Sequence, residues 1–471
     1  MLNSLRHPFR QLFGIDVRCL AALRIAIALL LLTDLIFRWP FLVQCYTDDG
    51  FLPRDLVLEP DSWMSLQMLD GSPGFQVAHF VAAGCSSLLL LFGYQTKLAL
   101  FFCWILTISL HARNGFLLDA GDDLLRSLMF WSLFLPLGAR FSIDARGKNL
   151  TRQEIVVSPA SAALLLQFAC LYFFAGWFKT DQGWSDGTAI EMALGQTQWI
   201  RPAGHFLRQY PELLRYLTRS VVWFEILAPL LLFVPIRTRK IRMLVIPAFW
   251  LFQVSLASTF WLHIFPLITA AATIPFLSSI IWPYPTPASQ QSTEKGEPSS
   301  RRAHPWQILW WSGLAALAFG VIAVQVANFG KSLLPTEERV ASLIGWNAVW
   351  SMYSKTPQFS YRFSAEATLQ DGGTVDLINS DITGGERLTV QRFHQSYRAR
   401  YFLETTSSAR PQFPTRYLTY LVYLWNQDHS PERHVVRGRI VGTAQRIRSD
   451  EPAETTVLLD VGFSALPPDH G

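Results

Sequence analysis

Long runs of apolar residues separated by short polar loops dominate the first two thirds of the chain. Nine of them reach or approach the ~20 apolar residues that a spanning helix needs: 17–38, 76–94, 96–113, 123–139, 160–179, 220–236, 241–261, 263–283 and 307–328. After about residue 335 the pattern changes. Ser360–Leu369, then Asp371-Gly372-Gly373, then Thr374–Leu377 reads as a β-hairpin, with further strand candidates at 386–393, 433–447 and 455–461. Tyr417, Leu418, Tyr420, Leu421, Leu424 and Trp425 recur at helical spacing, which predicts one amphipathic helix on that sheet. The expected fold class is a mainly α-helical polytopic membrane protein of about nine transmembrane helices with a small C-terminal α+β extracytoplasmic domain. Its parts are a bundle at 1–283, a Pro/Ser-rich cytoplasmic linker at 284–306, a last transmembrane helix at 307–330 and a soluble region at 335–471.

Charge between the apolar runs gives the orientation. With the N-terminus inside, the inside segments hold Arg6, Arg10 and Arg18; Lys97; Arg140, Arg146, Lys148 and Arg152; Arg237, Arg239, Lys240 and Arg242; and Lys295, Arg301 and Arg302. The first outside loop is acidic instead, with Asp48, Asp49, Asp55, Glu59, Asp61 and Asp70 against Arg54. This alternation predicts a cytoplasmic N-terminus and an extracytoplasmic C-terminal region. Residues 201–219 set Phe206, Tyr210 and Leu213 against Arg201, Arg208, Arg215 and Arg219. They predict a basic helix in the outer interface, interrupted near Pro211, with a plain loop as the alternative.

Composition agrees with the pattern. The chain is 50% hydrophobic and only 16% charged, against the roughly 25% charged residues of soluble domains. Its net charge of +5 needs no nucleic acid, since much of the excess lies in the loops. The five cysteines (Cys19, Cys45, Cys85, Cys103, Cys170) show no metal-ligand spacing, so no metal is expected. The first apolar run lacks a small-residue cleavage pattern and reads as a retained anchor.

Several ionisable residues stand where lipid is expected. Arg24 and Asp34 share a face of the first run, ten residues apart, and each needs a partner on another helix or in a wet cavity. Asp119, Asp122, Asp123 and Arg126 gather at the outer start of the fourth run, Glu225 enters the sixth, Gln253 lies midway along the seventh and His263 opens the eighth. Two readings stand open. Asp34 with Arg126, or Arg24 with Glu225, form pairs that hold the bundle together. Otherwise these groups line a polar cavity opening outward.

Tyr172-Phe-Phe-Ala-Gly-Trp-Phe-Lys179-Thr-Asp181-Gln-Gly-Trp184 ends the fifth run on a lysine and leads straight into an acidic, aromatic loop. A rim lysine ordinarily snorkels to the headgroups. Held in a cavity it loses hydration, which favours an uncharged, basic nitrogen, whereas a carboxylate such as Asp181 favours the ammonium.

Four stretches carry a resemblance to the horizontally transferred transmembrane (HTTM) family and the related vitamin K-dependent γ-glutamyl carboxylases. Ala22-Leu-Arg24 to Asp34, with Tyr46-Thr-Asp-Asp-Gly50-Phe-Leu-Pro53-Arg54, looks like the first span and loop of the bacterial members. His111-Ala-Arg113-Asn114 to Asp119-Ala-Gly-Asp122-Asp-Leu-Leu-Arg126, on to Arg140-Phe-Ser-Ile-Asp144, is close to the bacterial signature. Phe174-Ala-Gly176 to Lys179, Asp181, Trp184 and Gly187 is similar to the carboxylase segment that supplies the base lysine, and Lys179 falls on it. Trp346 to Tyr353, with Tyr417-Leu to Leu424-Trp425-Asn426, resembles the extracytoplasmic part of the bacterial relatives.

The resemblance implies a function. Lys179 would deprotonate a reduced vitamin K or menaquinone, whose reaction with O2 yields a strong base. That base removes a γ-proton from a glutamate of a secreted or membrane protein, and the carbanion adds CO2. A water-poor site protects such a base. Arg24, Asp34, Asp122, Arg126 and Glu225 would shape and charge the cavity. The alternative is a non-enzymatic membrane protein, a transporter or a scaffold presenting its C-terminal region to a partner.

Overall fold

The computed structural model describes residues 9–56, 64–147, 155–281, 352–378, 412–449 and 451–463, with positions 312, 316 and 320. The helices are α1 (Val17–Arg38), α2 (Leu42–Tyr46), α3 (Pro73–Phe92), α4 (Thr96–Arg113), α5 (Ala120–Ser132), α6 (Pro159–Trp177), α7 (Gln182–Asp186), α8 (Ala189–Gly195), α9 (Pro202–Leu207), α10 (Pro211–Leu231), α11 (Thr238–Thr259), α12 (Phe265–Ala272), α13 (Ser278–Ile281) and α14 (Gln412–Gln427). The strands are β1 (Ile15–Asp16), β2 (Ile155–Val156), β3 (Phe359–Leu369), β4 (Thr374–Asp376), β5 (Val435–Arg446) and β6 (Glu454–Gly462).

Among the described residues, four helices are long and apolar enough to cross a membrane: Val17–Tyr46, Pro73–Phe92, Pro159–Trp177 and Thr238–Thr259. They coincide with the first, second, fifth and seventh apolar runs. The third run forms α4 and the fourth forms the shorter α5, while the eighth breaks into α12, a 3₁₀ turn and α13. The ninth run lies outside the described residues, apart from its three single positions, as does the linker at 284–306. Residues 201–219 do break before Pro211: α9 ends at Leu207 and α10 starts at Pro211, where a proline's missing N–H costs nothing.

The packing of the bundle is legible in its exposed residues. Leu244, Leu251 and Val254 of α11 and Trp223, Leu227 and Leu230 of α10 face outward, while Val245, Ile246 and Phe249 are buried in the core, Phe249 against Phe168 and Tyr172 of α6. Outward-facing apolar surface on this scale fits lipid rather than water.

The C-terminal sheet runs β4-β3-β5-β6, all antiparallel, with Asp371-Gly372-Gly373 turning β3 into β4. The sheet candidate at 386–393 lies outside the described residues. α14 lies on the sheet with Leu418 over Gly438. Its core is continuous with the end of the bundle: Phe51 meets Tyr417 at 5.1 Å between ring centres, and Phe116 meets Phe413 at 4.7 Å.

Candidate functional site

Lys179 and Glu225 come from two helices that touch. α6 begins with a capping box, Ser158 with Ser161, and ends one residue before Phe178. Lys179 therefore follows the last turn, where its side chain folds back along the helix. Gly176 makes the approach possible. A Cβ there would stand 2.9 Å from the Glu225 Cβ on α10, too close for any side chain. With the helices this near, the Lys179 Nζ donates to Glu225 Oε2 at 2.5 Å, to the Ala175 carbonyl at 3.1 Å and to the Met352 carbonyl at 3.4 Å. The amine also sits 5.0 Å from the centre of the Trp184 ring. Both side chains are more than nine-tenths buried. Four residues after Glu225, Pro229 lies inside α10 and has no N–H to offer the Glu225 carbonyl.

The pair borders a cavity of about 250 Å³. Among the described residues that line it, only Lys179 and Glu225 are charged. The rest of the wall includes Tyr172, Trp184, Phe252, Leu256, Phe260 and Phe265, with Met352 and Tyr353 from the C-terminal region. An ionisable pair at the edge of an apolar chamber feels little solvent screening. Gln253 does not line the cavity; its amide donates to the Tyr172 hydroxyl, which does. His263 adopts a left-handed backbone, φ +49°, and sets its ring edge-on to Phe37 at 5.2 Å.

The loop after Lys179 is tied to the C-terminal region. Asp181 stands at the N-cap position of α7, yet its carboxylate accepts instead from the Thr356 N–H at 2.9 Å and the Thr356 hydroxyl. Those two donors hold the Asp181 carboxyl below the usual carboxylate range. The Trp184 indole N–H donates to the Tyr353 carbonyl at 2.8 Å.

The other expected cavity residues go elsewhere. Arg24 is fully buried, and its hydrogen bonds go to backbone carbonyls. Its guanidinium caps the end of α3 through the Leu90 and Leu91 carbonyls at 3.0 and 3.1 Å and also reaches the Phe141 carbonyl. The pairing of Arg24 with Glu225 is thus corrected: carbonyls in the last turn of a helix, with lone pairs left to accept, are a nearby sink for a guanidinium. The partner of Asp34 is Arg38, one turn along the same helix, at 2.7 Å, and Arg126 bonds Asp123. Asp119 caps α5 through the N–H groups of Gly121 and Asp122, and Asp122 returns the bond to the Asp119 N–H. Arg242, read as an inside-loop charge, is buried and holds the Leu232 and Leu12 carbonyls.

Arg38 anchors a second buried cluster. Its guanidinium reaches Asp34, the Tyr46 hydroxyl at 2.9 Å and Asp122 at 3.0 Å, with His111 3.5 Å away. Asp34, His111 and Asp122 offer ligand atoms within 4.8 Å of one another. Arg38 already bonds both carboxylates, so the donor set is spoken for by a guanidinium. Arg38 has no place in the sequence reading, and His111 and Tyr46 enter it only as marks of the family resemblance; the (i, i+4) spacing of Asp34 and Arg38 was the available signal.

A helical bundle with an amine–carboxylate pair buried beside an apolar chamber defines an integral membrane protein with one chemically distinct corner. The family model for the HTTM domain matches residues 14–282, more than half of the chain, and the protein belongs to that family. No curated protein and no solved structure matches it.

Proposed function

We propose that this HTTM protein is a quinol-using, γ-glutamyl carboxylase-like enzyme in which Lys179 is the base. The buried Lys179–Glu225 pair beside an apolar chamber carries the reading. A quinol ring suits the walls: aromatic and aliphatic side chains take its faces, and one polar corner takes a hydroxyl. When bound, the quinol supplies the reducing equivalents that convert O2 into a strong base. The chain's own part is proton handling. Passing a proton from Nζ to Glu225 Oε2 turns the ion pair into a neutral amine and a carboxylic acid with no change in net charge. The neutral amine then accepts a hydroxyl proton, and Tyr172 and Trp184 keep water from the reacting edge. A transporter needs polar groups continuing across the bilayer; among the described lining residues charge is confined to this one pair, which supports the enzyme reading.

The reading extends to topology. We propose nine crossings, N-terminus inside, with the sheet region and the cavity mouth on the outer side. There a glutamate of a secreted or membrane protein is accessible to the site.

The test incubates purified full-length protein with reduced menaquinone or vitamin K, labelled bicarbonate and a Glu-containing peptide, beside Lys179→Ala. Label fixed into peptide and quinone epoxide are expected from the natural protein and absent from the variant. Neither product from folded, natural protein sinks the carboxylase reading.

A further inference from the structure

We infer that residues 352–356 form a detachable strap that closes the Lys179 cavity on the side of the C-terminal sheet, with the Asp181–Thr356 contact as its hook. Four hydrogen bonds join the loop at 179–184 to this short segment: Lys179 Nζ to the Met352 carbonyl, the Trp184 indole N–H to the Tyr353 carbonyl, and the Thr356 N–H and hydroxyl to the Asp181 carboxylate. Met352 and Tyr353 belong to the cavity wall itself, so lifting the segment opens the chamber.

Two features mark the strap as a separable part. Its grip on the loop is largely polar, four hydrogen bonds at the edge of the apolar wall, with Met352 adding an apolar contact to the bundle core. On opening, such bonds exchange for bonds to water, so each contributes only a fraction of its gross strength, more where the partner is charged. Its fit is also conditional on a missing side chain. Gly183 lies under Thr356, and a Cβ there would stand 2.4 Å from Thr356 Cγ2. Tyr353 adds a left-handed backbone, φ +55°, that a non-glycine residue holds only under constraint.

The closed strap also completes a set of acceptors. An ammonium has three N–H groups, and Lys179 faces three oxygens: Ala175, Glu225 and Met352. Lifting the strap removes one of them and frees an N–H direction for whatever enters. The strap therefore couples access to the chamber with the environment of its amine. This holds for any occupant, so it stands or falls apart from the carboxylase reading.

The test needs no substrate. The five native cysteines are replaced by alanine and one reporter is placed on the wall by Ala189→Cys, a buried lining position. The full-length protein in lipid nanodiscs is then labelled with a sulfonated, water-soluble maleimide. Thr356→Val removes the hydroxyl hook while keeping the shape, and Gly183→Ala wedges the strap away without removing any polar group. Either change is expected to raise the labelling rate about tenfold, the population shift from losing one hydrogen bond to a charged group. Thr356→Ser keeps the hook and the slow rate. Each variant is first checked for monodisperse elution, and if one fails to fold the other decides. Unchanged rates in the folded variants overturn the strap, as does an equal rise in Thr356→Ser.

Discussion

The Lys179 pair and the Arg38 cluster each join a buried cation to carboxylate, and they differ in what surrounds it. Arg38 is enclosed: two carboxylates and a tyrosine hydroxyl take its nitrogens, a histidine stands beside it, and every member is buried. Lys179 has one carboxylate and two carbonyls, with a 250 Å³ chamber next to it. A charge deep in the apolar part of a fold is therefore not a site in itself. Chemistry needs an ionisable group with room beside it for another molecule. The first arrangement fastens helices, whereas the second leaves a proton within reach of a guest.

Breaking each arrangement should have opposite signatures. Arg38→Leu strands two buried carboxylates and is expected to cost about 3–5 kcal/mol, seen as a large fall in thermal unfolding temperature or no folded protein at all. Lys179→Met strands one carboxylate, and adding Glu225→Leu removes it. The double variant should regain the stability of the natural protein while forming no product. If it instead remains as unstable as Lys179→Met alone, the pair is a fastener like the Arg38 cluster and the comparison fails.

Gly176→Ala probes a finer point. The added methyl must push α10 away or strain both helices, at about 1–3 kcal/mol for an overpacked contact. Lengthening the Nζ–Oε2 contact should slow product formation more than it lowers stability, which thermal unfolding and turnover measured side by side would reveal. An equal loss in both would place Gly176 among ordinary packing positions.

The smallest effect concerns pH at the strap. Because Thr356 holds the Asp181 carboxyl below its ordinary value of 3.8, the contact is fully in place above that value and is lost as pH falls through the lowered one. Labelling at the Ala189→Cys reporter should stay flat from about pH 8 to about pH 4, corrected for maleimide reactivity, and rise only below that. A rise near neutrality would point to a group other than Asp181.

How much of this was readable beforehand follows from what each feature is made of. The Lys179 segment was conspicuous because a lysine closing an apolar run before acidic and aromatic residues breaks the local pattern. The hairpin at 359–376 was signalled by Asp371-Gly372-Gly373, and the break before Pro211 by the proline itself. Partner choice was not readable. Arg24 and Glu225 are 201 positions apart in the chain, and their fates depended on which helix end lay nearest each of them. Asp119 and Asp122 looked like cavity carboxylates because capping and catalysis draw on the same residue types. The strap was the least visible, since the Met352 and Tyr353 carbonyls are backbone atoms common to all residues.

One consequence follows from Gly176. The separation of two rods, and with it the length of the proton hop that the proposed reaction requires, is governed by a hydrogen standing where other residues carry carbon. A single methyl therefore serves as a tuning screw for this corner. Side chains graded by volume at that position would give a ruler for how far the hop can stretch before turnover stops.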